Sequence, residues 1–262
     1  LFYALSVLGL SYSLIVGVRV TADCLSFEKR DGTLGLLFLT DLKGFDVVLG
    51  KLAATSLNSI YGLIALIPIL AIPLQMGGVT GEDFFRMVLC LLNALFLSLS
   101  VGISVSALSY YDRKAMFAGF LTVMMIAAGP YAAMIYVETL DGPVSLGLRF
   151  FMWMFLIVSP ITPFLMVNFI DVGGGILSPI LLQVGLSEDM IFGVALIVSH
   201  SVAWLLLFVA SRVLVSFVRQ ESHANWLVSL RAWAHQIIYG DESLRLAHRR
   251  KFLDLNAYSW LT

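Results

Sequence analysis

Residues 27–52 read FEKRDGTLGLLFLTDLKGFDVVLGKL, a charged, leucine-rich stretch set between two apolar runs that carry almost no charge. Leu34, Leu36, Leu37, Phe38 and Leu39 are too apolar for a solvated loop. They are also too short a run to cross a bilayer, which takes ~20 helical residues. Thr40 and Asp41 can cap a helix beginning near Leu42. Lys51 can lay its stem along apolar surface and keep its amine at the membrane boundary as the next apolar run begins. The stretch therefore reads as a short amphipathic helix, a turn, and a second helix feeding a membrane span. On these residues alone two accounts stand level: an interfacial helix that packs only on its own spans, and an element that docks on a partner.

The flanks settle the class. The chain is 60% hydrophobic and 13% charged, with a mean hydropathy of +0.94, whereas a soluble domain is about a quarter charged. It is read as an integral membrane protein. The net charge of −1 says little, because it averages two sides of a membrane. Cys24 and Cys90 make neither a metal spacing nor a disulfide framework and read as small apolar fillers. An apolar start at Leu1 without a basic leader, and a close on YSWLT, are expected of a piece of a longer chain.

Five windows lack Asp, Glu, Lys and Arg altogether: 1–18, 52–81, 87–111, 115–137 and 190–211. Each predicts a transmembrane helix, because in lipid the backbone must satisfy its own hydrogen bonds. Pro68 and Pro73 predict that the second ends or kinks near GGVTG at 77–81. Residues 150–187 are apolar but broken by SPITP and by DVGGG. By hydropathy they could cross once, not at all, or enter and return. The positive-inside rule decides. With 19–51 in the cytoplasm and 150–187 returning to its own side, only Arg86 and Arg149 of the 16 Lys and Arg lie outside. A full crossing would put nine outside and seven inside.

The expected fold is all-α: a polytopic membrane protein of the plasma (inner) membrane, with five transmembrane helices plus a re-entrant or interfacial extracellular element at 150–187. Residues 1–217 form the transmembrane domain, with the loop 21–51 cytoplasmic. Residues 218–262 form a cytoplasmic tail. In it Trp226, Leu230, Trp233 and Ile237 recur at helical spacing before the basic run LRLAHRRKF, which suits an amphipathic helix near anionic lipid.

Several chemistries are excluded. GFDVVLGKL places five residues between its glycines and Leu52 after Lys51, which fails the phosphate-loop pattern. There is no HExxH, no Cys/His cluster and no Gly-x-Ser-x-Gly, so neither hydrolysis nor group transfer is expected of this chain, and no metal. The basic tail gives no reason to expect nucleic acid. His200 is the one ionisable residue in the spans, with Asn93 a polar residue elsewhere; it reads as a packed or hydrogen-bonding helix residue rather than a proton relay.

The motif Glu-Lys-Arg-Asp-Gly-Thr-Leu at 28–34, followed by leucines, Thr40, Leu42 and Gly50-Lys51, resembles the cytoplasmic loop of the type-2 ATP-binding-cassette (ABC) exporter permeases. Asp31 stands where that family usually has Glu, and Asp41 where it usually has Pro. Ser159-Pro160 before the last span and RRKFLDLNAYSWL at the end are similar to later parts of the family pattern. The resemblance implies a coupling loop that rests on a separate ABC ATPase subunit, with Glu28, Arg30, Asp31, Gly32, Thr33, Leu34, Leu37 and Thr40 as coupling residues. Glu28 and Arg30 would orient the loop or brace the first gating helix. Arg113 and Lys114 are possible second contacts, or simply positive-inside markers. The chain would bind no cofactor itself, ATP and Mg being held by the partner subunit, and would work as a homodimer or with a paired permease half. Two rivals stand beside it. An ion-coupled secondary carrier would need intramembrane charges, and a structural or assembly membrane protein would use the insert to hold a non-ATPase partner.

Overall fold

The computed structural model describes residues 1–34, 42–139, 155–169 and 187–239, the last as backbone alone beyond Phe217. Leu36, Leu37, Thr40 and Asp41, the segments 150–154 and 170–186, and the basic run after Tyr239 lie outside the described residues. Among the described residues every regular element is a helix: α1 (Phe2–Thr21), α2 (Cys24–Arg30), α3 (Gly44–Leu70), α4 (Ile72–Gln75), α5 (Gly81–Leu108), α6 (Asp112–Ala127), α7 (Gly129–Glu138), α8 (Ile161–Phe169) and α9 (Glu188–Tyr239). The chain forms two compact units, Leu1–Val215 and Ser216–Thr262. The second is described only as helical backbone to Tyr239.

Among the described residues four stretches are long and apolar enough to cross a membrane: Phe2–Arg30, Gly44–Gln75, Gly81–Leu108 and Asp189–Phe217. A fifth is the pair Asp112–Ala127 and Gly129–Val137, bent by 48° at its break. The chain is thus an all-α, multi-pass membrane protein. The bend falls at Gly129-Pro130, where the proline has no N–H to continue the ladder. Ser159 Oγ, arriving from the following segment, donates to Ala127 O across that break at 2.7 Å.

Several expected boundaries move by a few residues. Helix α3 runs through Pro68 and stops at Leu70, and Pro73 lies in the first turn of α4. Gly77, at φ 72°, then reverses the chain, and Thr80 accepts from Asp83 N at 3.2 Å to start α5. The expected caps, Thr40 and Asp41, lie outside the described residues. The helix starts at Gly44, and Asp46 reaches back to accept from Lys43 N at 3.0 Å.

The centre of the bundle is the seam between α1 and α5. On α1, Gly9, Ser13, Gly17 and Thr21 recur every fourth residue and are all buried, so small side chains line one face. A Cβ on Gly17 would lie 1.8 Å from Ser98 Oγ, and one on Gly102 would lie 2.0 Å from Thr21 Oγ1. The backbones come close enough for side chains to bond across. Ser98 Oγ donates to Ser13 O at 2.6 Å, and Thr21 Oγ1 donates to Leu99 O at 3.2 Å.

The SPITP break obeys the same accounting. Pro160 cannot donate to Leu156 O, which takes Ser159 N at 3.0 Å and Thr162 Oγ1 at 2.5 Å instead. Tyr131 OH meets Thr162 Oγ1 at 2.8 Å, fastening the element to α7. Helix α8 is nine residues long, about 14 Å of rise against a hydrocarbon core of ~30 Å. The fate of 150–187 as a whole rests on its undescribed parts. Cys90 is buried beneath Pro160 and Cys24 is half-buried; both are free thiols.

Candidate functional site

The described part of 27–52, together with Cys24–Ser26 before it, forms a compact clasp at one end of the bundle. Helix α2 has no side-chain cap of its own. Its first N–H groups, from Leu25 and Ser26, donate instead to Ser106 Oγ on α5 at 2.9 and 3.0 Å. Lys29 is buried, and its ammonium donates to Ala107 O in the last turn of α5. That is a favourable end for a cation, because unpaired helix carbonyls carry partial negative charge there. Side chains thus join the start of α2 and its fifth residue beyond to the end of α5.

The end of α2 explains Asp31-Gly32-Thr33 as local chemistry. Gly32 sits at φ 69°, the left-handed region that suits glycine. Gly32 N donates to Lys29 O at 3.3 Å, and Thr33 N donates to Glu28 O at 3.2 Å. This is the paired pattern of a Schellman termination. The Thr33 hydroxyl also donates to the Glu28 carboxylate, closing the turn from its side chains. The other Glu28 oxygen accepts from Lys51 Nζ at 2.5 Å, tying the turn to the start of α3. Arg30 pairs with Asp112 in the first turn of α6, and Ser26 Oγ donates to the same carboxylate at 3.1 Å. The Arg30 guanidinium also lies 5.5 Å from the Phe27 ring centroid.

The structure therefore brings Glu28, Arg30, Gly32 and Thr33 together in one unit, with Leu34 fully buried beneath them. Asp31 and Gly32 form its exposed tip. Leu37 and Thr40 lie outside the described residues. Arg113 and Lys114 are exposed at the start of α6, and Lys114 lies 5.1 Å from the Tyr111 ring centroid. Sequence reasoning missed the partners: Lys51 as the mate of Glu28, Asp112 as the mate of Arg30, and Ser106 as the cap of α2. Spacing carries no signal for contacts 23 to 82 residues apart.

A second polar cluster lies at mid-depth. His200 Nδ1 is 3.2 Å from Asn93 Oδ1, so the two isolated polar residues of the sequence are in fact neighbours. Trp204 Nε1 donates to His200 Nε2 at 3.0 Å, and Asn93 Nδ2 donates to Ser199 Oγ. The His200 ring stacks on Phe96 at 4.7 Å. At the far end of α5, Arg86 pairs with Glu82 and, at 2.7 Å, with Asp189 of α9. No group of His, Cys, Asp and Glu able to hold a metal occurs among the described residues.

No family model, no curated protein and no solved structure matches the chain. The geometry and the sequence motif therefore carry the functional argument between them.

Proposed function

We propose that the chain is the transmembrane permease subunit of an ABC exporter, with 24–34 as the element through which a separate ATPase subunit drives it. The observation that carries the reading is the clasp. One short helix and its turn are fastened to α5 through Lys29 and Ser106, to α3 through Glu28, and to α6 through Arg30. A push on the exposed Asp31-Gly32 tip would reach the ends of three spans together. The match of Glu28, Arg30, Gly32 and Thr33 to the coupling-loop motif supports it.

Charge supports the orientation. Among the described residues, the clasp end carries Arg19, Lys29, Arg30, Lys43, Lys51, Arg113, Lys114 and Arg212 against Asp23, Glu28, Asp31, Asp46 and Asp112. The opposite end carries Arg86 against Glu82, Asp83 and Asp189. By the positive-inside rule this asymmetry supports a cytoplasmic clasp. ATP and Mg would be bound by the partner, and a homodimer or a paired half would complete the pathway.

One observation favours a structural or assembly role instead. Lys29, Glu28 and Arg30 all spend their charges inside the chain, as an interfacial helix resting on its own spans would. Asp31→Arg separates the two readings, because it reverses the charge of the exposed tip and removes none of the side-chain hydrogen bonds that fasten the clasp. The tagged protein in mild detergent is expected to bring down an ABC ATPase, and Asp31→Arg to weaken that capture at least several-fold while elution and thermal unfolding stay unchanged. If the folded wild-type protein captures no ATPase, the structural reading takes over.

A further inference from the structure

Helices α3 and α9 both pack on α5 but leave space beside those contacts. Between them lies an open groove of about 840 Å³, walled by apolar side chains such as Leu52, Ile60, Leu92 and Ile197. Asn93 and Phe96 on α5 and His200 on α9 also line it. Asn93 is twelve residues into α5, about 18 Å along it, and His200 is eleven residues into the span Asp189–Phe217. The polar part of the groove therefore sits near the middle of the membrane.

The hydrogen bonds there run in one direction. An indole N–H can only donate, so His200 Nε2 accepts from Trp204. A neutral ring then carries its proton on Nδ1 and donates it to Asn93 Oδ1. Asn93 Nδ2 in turn donates one hydrogen to Ser199 Oγ, whose own proton goes to Leu196 O. Ser201 Oγ is likewise spent on Ile197 O. What remains is the second amide hydrogen of Asn93, for which no acceptor occurs among the described residues. A donor left unpaired in a medium without water costs free energy, and an acceptor that meets it there is bound.

We propose that this groove is a binding site for a neutral, lipid-soluble molecule that carries aromatic rings and one hydrogen-bond acceptor. The acceptor would meet Asn93 Nδ2 and a ring would lie against the Phe96–His200 stack. Neutrality follows from the lining, which has no charged residue and a histidine with both nitrogens engaged. A phospholipid acyl chain has no acceptor at this depth, since its ester groups lie at the edge of a ~30 Å core. A helix of a second copy has its backbone carbonyls already paired. The inference needs no ATPase and stands apart from the exporter reading.

The test uses the full chain in lipid nanodiscs without nucleotide, with benzophenone as the probe: two rings, one carbonyl, and insertion into nearby C–H bonds on irradiation. Mass spectrometry of the peptides is expected to place the adducts on the α5 and α9 walls of the groove. N-methylbenzanilide, a two-ring tertiary amide, should compete at least ten-fold better than diphenylmethane, which has the rings and no acceptor. Asn93→Leu should lower groove labelling several-fold and erase that difference between competitors, while Asn93→Gln keeps both. Adducts spread evenly over all the spans, or equal competition by the two compounds on the wild-type protein, would overturn the proposal. So would disulfide-linked dimers formed in high yield by Ile197→Cys, which would mean that a second copy covers the groove.

Discussion

Helix α5 is packed in opposite ways on its two sides. Toward α1 its residues are small, and the backbones touch through Gly17, Ser98 and Gly102. Toward α3 and α9 it presents Leu89, Leu92 and Phe96, which line an open groove. In consequence 72% of the apolar window of α5 is buried, against 28% for α9 and 22% for α3. Lipid tails are as apolar as leucine, so burying leucine gains nothing between helices in a membrane. What holds the seam is close packing and the hydroxyl bonds that closeness permits. Leucine serves in both places here, buried at Leu91, Leu95 and Leu99 and exposed at Leu89 and Leu92, so it is glycine and serine that mark where the backbones of α1 and α5 meet.

That contrast breaks most sharply at Gly17. A Cβ there would lie 1.8 Å from Ser98 Oγ and 2.9 Å from the backbone nitrogen of Leu99, so a rotamer change alone makes no room. Gly17→Leu is expected to cost about 3 kcal/mol by forcing the two helices apart. The matched change on the open side, Leu92→Ala, should stay within about 0.5 kcal/mol, because Leu92 is already exposed. Reversible unfolding in mixed micelles reads both. Equal losses at the two positions would mean that the seam and the groove are not different in kind.

The next effect lies where the seam meets the clasp. Gly32 has open space around it, so an added methyl meets nothing. Its backbone, at φ 69°, is the whole reason for glycine. Gly32→Ala should therefore cost roughly 1–2 kcal/mol, the penalty of left-handed backbone for an L-residue, without any steric clash. Thermal unfolding of the purified protein measures it. Gly50, which shares the loop motif but not the conformation, also has open space around it and should accept alanine without loss.

The sequence carried the spans well, because twenty residues without charge have few other uses. The clasp's local half was there to be read, though the coupling motif drew the reading elsewhere. Asp31-Gly32-Thr33 after a short amphipathic run is a helix ending, and Glu28 is the carboxylate within reach of Thr33. The sequence did not carry the pairings. Lys29 looked like one more loop charge and is instead buried against the end of α5. The spacing of Gly9, Ser13, Gly17 and Thr21 was there to be read, but Ser98, Gly102 and Ser106 lie some 80 residues on and nothing in either segment points to the other. The bend at Pro130 was legible in principle, since a proline deep in an apolar window removes one rung of the ladder. The polar pair His200 and Asn93 was visible only as two separate oddities, because hydropathy does not say which helix faces which.

The smallest effect is expected at the solvent edge of the clasp, and there the two ion pairs part company. Glu28 and Lys51 are 19% and 31% exposed, and the carboxylate is also held by Thr33, so its geometry survives weakening of the charge. Arg30 and Asp112 are 39% and 34% exposed, and salt at 1 M shortens the reach of such charges to about 3 Å. Exposed pairs of this kind contribute little, because water already solvates both partners. Arg30→Gln should therefore lower the unfolding temperature slightly in dilute buffer and not at all in 1 M sodium chloride. Glu28→Gln should retain part of its loss in the same high salt, because its pair with Lys51 is less exposed and is screened less. If Arg30→Gln proved as damaging at high salt as at low, the guanidinium would be acting through its contact with Phe27 rather than through Asp112. The clasp would then be an apolar joint with charges at its rim.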